Sequence, residues 1–266
     1  MKNKHKILVL LDLDKSLDKK IQNAVNLGKI INADLDFFSV KPAADIVKKE
    51  NQFSAVRTLN EEYNTTDKKI KSLLTPILEK YEGNINYSFS FGNVKNEIED
   101  YIIKTNPDII ILGKRKAKII GFAGDNITDF ILSTYKGSVM IVSENSNLNA
   151  NEDISLGFLN GDEVNFDIQF LENLLSKSQK PLKSFRIGGD LHSLNESKTF
   201  KNKPFIEYVF EQNNDTIKNI SNYIDKSSID LLCINKENQK TKSEKADIKN
   251  VISLSNVSLF LTNNNF

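Results

Sequence analysis

FGNVKNEIEDYIIKTNPDIIILG, from Phe91 to Gly113, carries the boundary signals of a helix and of the strand that follows it. Asn93 has a side-chain oxygen able to cap a helix over Val94 to Lys104. Pro107 lacks an N–H and stops that helix from running on. Asp108 to Leu112 is then a short apolar strand. On its C-terminal side come the stretch Gly113 to Gly124, a helix from about Asn126 to Thr134 and the apolar strand Ser138 to Val142. On its N-terminal side, Asn84 to Phe91 alternates Ile85, Tyr87, Phe89 and Phe91, the pattern of a half-buried strand. Thr65 to Tyr81 reads as a helix that Pro76 kinks or breaks, and Leu35 to Val40 as a strand. Asp18 to Ile31 places Ile21, Ala24, Val25, Leu27, Gly28 and Ile31 on one helical face. Ile7 to Leu11 is a continuous apolar run ended by Asp12, as in a central parallel strand covered on both faces. Strands alternating with helices imply right-handed βαβ units and a parallel sheet.

SENSNLNANED, Ser143 to Asp153, is polar and without hydrophobic period, so it reads as a linker between residues 1–146 and 152–266. The second part repeats the first. Ile98, Tyr101 and Asp108 match Ile220, Tyr223 and Asp230 at one constant offset of 122. Ile7 matches Ile154 at an offset of 147, so the second copy is shorter by 25 residues before its fourth strand. The deficit falls on the second helix, because only Gly189 to Lys203 separates the strands Lys183 to Ile187 and Pro204 to Phe210. Pairing Gly137 with Asn256 removes three more residues before the last strand, Val257 to Leu261.

The run ILVLLD ending in Asp12, the strand end FFSV at Val40, the Phe91 to Gly113 stretch and GDNITDFILSTYKGSVMIV from Gly124 to Val142 together resemble the universal stress protein family. The resemblance implies an α/β fold of two tandem flavodoxin-like (Rossmann-like) domains, each a five-stranded parallel sheet flanked by helices, the second reduced. It also implies pairing through the last strands, either between the two halves or in a homodimer. Such apolar edge strands need a partner, because an unpaired edge invites aggregation.

Some members of the family bind ATP where glycines after a strand let the backbone approach phosphate and a helix N-terminus supplies N–H groups. The resemblance implies a site formed by Asp12, Val40, Gly113, Lys114, Arg115, Gly124, Asp125 and Asn126. Asp12 matches the acidic residue after the first strand and Val40 the strand end beside adenine. The glycine pattern is altered. Gly113 and Gly124 lie 11 residues apart, two short of the family spacing, Lys116 stands where the middle glycine belongs, and Asp125 follows the last glycine. Lys114, Arg115 and Lys118 can instead grip an anion, or GKRKAK is a solvated loop; Asp14 reads as a turn and helix-cap residue. In the second half Asn235 replaces Gly113, no glycine follows it, and Gly188, Gly189 and Asp190 read as a turn.

Composition supports a non-catalytic reading. One Cys and two His exclude a disulfide framework and a zinc site built from Cys and His alone. His5 and His192 have no neighbouring nitrogen ligand, Cys233 sits in an apolar strand, and Glu97 and Glu99 point apart as surface charges. No hydrolase or metal signature is present. With 36 Lys+Arg against 35 Asp+Glu, bulk charge draws the chain to neither nucleic acid nor an anionic membrane, and no apolar run approaches membrane-spanning length. A cytoplasmic protein with no fixed cofactor is expected, either a regulatory stress-response protein, an ATP-binding switch or an interaction scaffold.

Overall fold

The computed structural model describes residues 4–13, 17–42, 52–114, 127–145, 148–159, 169–188, 199–200, 203–213, 215–236 and 250–262. In the first half, β1 (His5–Leu11) lies between β2 (Ala33–Pro42) and β4 (Ile109–Gly113), with β3 (Ile85–Gly92) beyond β2 and β5 (Ser138–Val142) beyond β4. All four pairings are parallel. The crossovers carry α1 (Asp18–Ile31), α2 (Gln52–Leu78), α3 (Val94–Thr105) and α4 (Ile127–Thr134). The second half contributes β6 (Leu156–Leu159), α5 (Gln169–Ser176), β7 (Leu182–Ile187), β8 (Thr199–Phe200), β9 (Lys203–Phe210), α6 (Thr216–Lys226), β10 (Leu231–Asn235), a helical turn at 250–254, and β11 (Ser258–Thr262).

The two halves form one eleven-stranded sheet in the order β3-β2-β1-β4-β5-β11-β10-β6-β7-β9-β8. β5 and β11 meet antiparallel, with Met140 opposite Phe260, Val139 opposite Leu261 and Ile141 opposite Leu259. Every residue of both strands is buried. Because side chains alternate across a sheet, the core divides by face and not by half. One cluster includes Val9, Phe37, Met140, Phe158 and Phe260. The other includes Leu8, Ile110, Val139, Phe185 and Leu261.

Strand register places the internal repeat. Ile7 faces Ile109 and Leu156 faces Leu231, and 109 and 231 are equivalents at the 122 offset. Ile7 therefore corresponds to Leu156, an offset of 149 in place of 147, and the deficit is 27 residues in place of 25. A two-residue shift leaves every side chain on the same face, which is why the sequence pattern alone tolerates the wrong partner. The whole deficit lies in one crossover: β2 and β3 pair at a spacing of 50, Leu35 with Ile85, whereas β7 and β9 pair at 23, Leu182 with Phe205. In the same way Ser138 corresponds to Ser258, an offset of 120, so Gly137 corresponds to Val257 and that connection is two residues shorter, not three. The repeated Asp makes the same bond in both copies: Asp108 accepts from the Lys6 N–H at 2.7 Å and Asp230 from the Ser155 N–H at 2.8 Å.

α1 has the expected limits, and Asn93 caps α3 by accepting from the N–H groups of Lys95 and Asn96. α2 departs from expectation. It begins at Gln52, not Thr65, and Pro76 stands within its last turn. Val56, Leu59 and Tyr63 are exposed along the early part, so their spacing marks no buried face there. Glu97 is no free surface charge, since it accepts from the Ser90 hydroxyl. Nor is the connector between the halves free. Leu148 is fully buried; its N–H donates to Asn23 Oδ1 at 3.2 Å and its carbonyl accepts from Asn26 Nδ2 at 2.8 Å. A helical pair three residues apart shares a face, so two asparagines of α1 hold the connector by its backbone.

Gly28 in α1 is required by Tyr81, whose hydroxyl donates to the Ala33 carbonyl at 2.5 Å. A Cβ on Gly28 would collide with that hydroxyl and press Leu35 Cδ2 at 3.1 Å. Gly28→Ala is therefore expected to destabilise by about 1–3 kcal/mol through overpacking, against the gain of about 1 kcal/mol that helix propensity alone assigns it. Urea midpoints check this, and the cost should shrink when Tyr81→Phe removes the hydroxyl.

Candidate functional site

In the first half the strand order reverses between β1 and β4, and ligands of open α/β sheets bind at the carboxyl ends of the strands at such a point. Leu10, Leu11 and Asp12 lie at that end of β1, Ser39 and Val40 towards that of β2, and Gly113 at that of β4. Ser39 donates its hydroxyl to the Leu11 carbonyl at 3.2 Å, tying β2 to β1. Val40 is half-buried, as is Asp12.

Two lysines outside the expected set converge there. Lys20 stands in the first turn of α1, where side chains lean towards the helix N-terminus and so towards the end of β1. Its ammonium donates to the Leu10 carbonyl at 2.9 Å. A Cβ on Gly113 would lie 2.7 Å from Lys20 Cε and 3.2 Å from Nζ, so the glycine gives room to the lysine stem. Lys69 of α2 donates to the Leu13 carbonyl. The structure thus gathers Asp12, Gly113, Lys20 and Lys69 around the β1 end. The direction of side chains in a first helical turn was the sequence signal for Lys20; Lys69 had none, because its approach depends on how α2 crosses the sheet.

Lys114 stands elsewhere. Its backbone N–H donates to the Val142 carbonyl at 2.8 Å, and its ammonium crosses the seam to the Ser255 carbonyl. The equivalent lysine, Lys236, crosses in the opposite sense to the Gly137 carbonyl at 2.9 Å. Burial pushes the Lys114 ammonium below the usual lysine range, with Asp225 pulling the other way. Arg115, Gly124, Asp125 and Asn126 lie outside the described residues, as do Asp14, Lys116, Lys118, Gly189, Asp190 and His192. In the second half Asn235 occupies the Gly113 position and is buried.

Cys233 is fully buried between Phe158 and Phe260 on the neighbouring strands, and burial pushes its thiol up to about 12. It is therefore a protonated core side chain and no nucleophile. His5 Nδ1 lies 3.9 Å from Asp108 Oδ2. Among the described residues no three His, Cys, Asp or Glu side chains gather as metal ligands, and no helix is long and apolar enough to cross a membrane.

No family model matches the sequence, and no curated protein matches it. Solved structures do. The chain aligns over 98% of its length with 98% of a universal stress protein from Archaeoglobus fulgidus, with a TM-score of 0.66 and 14% identity. It aligns over 97% of its length with 93% of a putative universal stress protein from Pseudomonas aeruginosa, with a TM-score of 0.56 and 10% identity. A functionally unknown protein of Pseudomonas aeruginosa matches over 97% of this chain and 92% of its own, with a TM-score of 0.57 and 10% identity. At these identities the likeness is one of architecture: the chain has the fold of a tandem universal stress protein.

The half-buried Lys114 gives a pH prediction. Its folded pKa lies below 10.5, so between the two values the unfolded chain holds the extra proton and stability rises with pH. Below both values the cost of burying the charge is fully present. Urea midpoints measured from neutral pH to 10.5 should therefore rise more steeply in the native protein than in Lys114→Met, and equal slopes would contradict this.

Proposed function

We propose that the protein is a non-catalytic, regulatory universal stress protein-like molecule whose first half binds an anionic ligand of the adenine nucleotide class at the carboxyl ends of β1 and β4. The second half serves as its structural partner. The observation that carries this reading is the Lys20 ammonium stationed over Gly113 and bonded to the Leu10 carbonyl. A cation in the first turn of a helix opposes the helix dipole, at a cost of about 0.3–1 kcal/mol. An anion seated beside it offsets that cost and gains a charge-assisted hydrogen bond. Lys69 adds a second cation, and Asp12, at the acidic position that the resemblance marks after the first strand, offers a carboxylate as acceptor for a ligand hydroxyl. Asn235, buried where the first half has glycine, argues against a second site.

Isothermal titration of the full chain with ATP and magnesium tests the reading. Saturable heat is expected, with affinity about 10-fold or more weaker in Lys20→Gln, the loss typical of a hydrogen bond to a charged group. No phosphate should be released. Absence of heat at millimolar nucleotide would overturn the ligand, equal affinity in Lys20→Gln would overturn the role of Lys20, and steady phosphate release would overturn the non-catalytic reading.

A further inference from the structure

At the opposite, amino end of the strands, β1, β2, the start of β3 and the end of α3 border an open cavity of about 320 Å³ lined by Lys6, Asp34, Asp36, Asn86, Lys104 and Thr105, among others. Asp36 is its central group. Asp36 Oδ2 accepts from the Tyr101 hydroxyl at 2.8 Å, and Tyr101 is itself stacked on Phe38 with ring centroids 3.9 Å apart. Asp36 Oδ1 is buried and has no hydrogen-bond partner among the described residues. A buried carboxylate oxygen without a donor is costly, and burial accordingly pushes the Asp36 carboxyl above its usual range, despite Tyr101 and Lys104.

The second half shows what fits this place. Leu8 pairs with Asp36 and Gly157 pairs with Lys183, and Leu8 and Gly157 are equivalents, so Asp36 corresponds to Lys183. The surroundings agree. Phe38 and Tyr101 correspond to Phe185 and Tyr223, which also touch. The Lys183 ammonium donates to the Ser227 carbonyl at 2.5 Å, and Ser227 corresponds to Thr105 on the cavity wall. An alkylammonium group thus fills the equivalent space, seated against the carbonyls at a helix C-terminus, where the helix dipole favours a cation. The first half has the same helix end, replaces the lysine with a carboxylate and leaves the volume open.

We propose that this cavity binds a small primary ammonium compound, its ammonium held by Asp36 and its alkyl part lying where the second half places the Lys183 stem. Lys6 and Lys104 are exposed, so both can turn into solvent and leave the carboxylate to the ligand. Asp34 is already engaged by the Asn84 N–H and by Lys4 at 3.6 Å, which leaves Asp36 as the acceptor. The site is at the other end of the strands from Lys20 and stands or falls independently of nucleotide binding.

The probe is n-butylammonium chloride, the Lys side chain without its backbone, titrated into the ¹⁵N-labelled full chain and followed by amide chemical shifts, with 1-butanol and matched sodium chloride as controls. Saturable shifts at Asp36 and Thr105 are expected for the ammonium alone. Asp36→Asn, which keeps the cavity and removes the charge, should weaken binding about 10-fold or more. Asp36→Lys should abolish it by supplying its own ammonium. Absence of saturable shifts at these amides, equal shifts with butanol or sodium chloride, or unchanged binding in Asp36→Asn would each overturn the proposal. A folded Asp36→Lys that still binds would do the same.

Discussion

The antiparallel pairing of β5 with β11 is the constraint on which the rest depends. Each half on its own ends in a largely apolar strand with one unpaired edge, an arrangement prone to aggregation. Joining the edges places both strands at the centre of the sheet, and full burial of side chains such as Ile141, Leu259 and Phe260 contributes about 1.5–3 kcal/mol each. Met140 and Phe260 are equivalents that face each other, so the axis relating the halves passes through this pair. Lys114 and Lys236 cross the seam in opposite directions, and Ser258 accepts from the Ser143 N–H at 3.1 Å where the connector begins. Asn23 and Asn26 then guide the connector beneath α1.

Once the seam is made, the two halves are free to diverge away from it. The second half keeps the strand order, the Asp230 bond and the Phe185–Tyr223 contact, all of which serve the sheet and its helix. It has lost 27 residues from the one crossover that lies farthest from the seam, where the first half carries α2 and with it Lys69. It has also lost the glycine at the end of its fourth strand. Divergence ran the other way at the amino end of the strands, where Lys183 fills the second half and Asp36 leaves the first half open. Structural duties are thus repeated in both copies, and the groups suited to holding a ligand are concentrated in the first.

The fold was largely legible in the sequence because its signals are local. Asn93 and Pro107 bracket α3, apolar runs mark the buried strands, and a constant offset exposes the repeat. Register was less legible, because shifting Ile7 from Ile154 to Leu156 changes no face. Composition also misled: the Asn-rich connector looked unattached, yet one leucine and two helix asparagines dock it. Of the candidate site, only positions at strand ends were legible, as for Asp12, Val40 and Gly113. Lys20 is set by the first turn of α1, which directly follows β1; Lys69 and Asp36 are brought into place by packing between elements far apart in sequence, and Lys114 is drawn from its expected loop role to the seam by the other half.

Hydrogen–deuterium exchange of the β5 and β11 amides tests the central claim most directly. If the two halves share one continuous sheet, the amides of 138–142 and 258–262 should belong to the slowest class in the chain. They should exchange with one common opening free energy, equal to that of global unfolding. Exchange of β11 through a separate, lower-energy opening, or rates at both strands as fast as those of the edge strand β3, would contradict it.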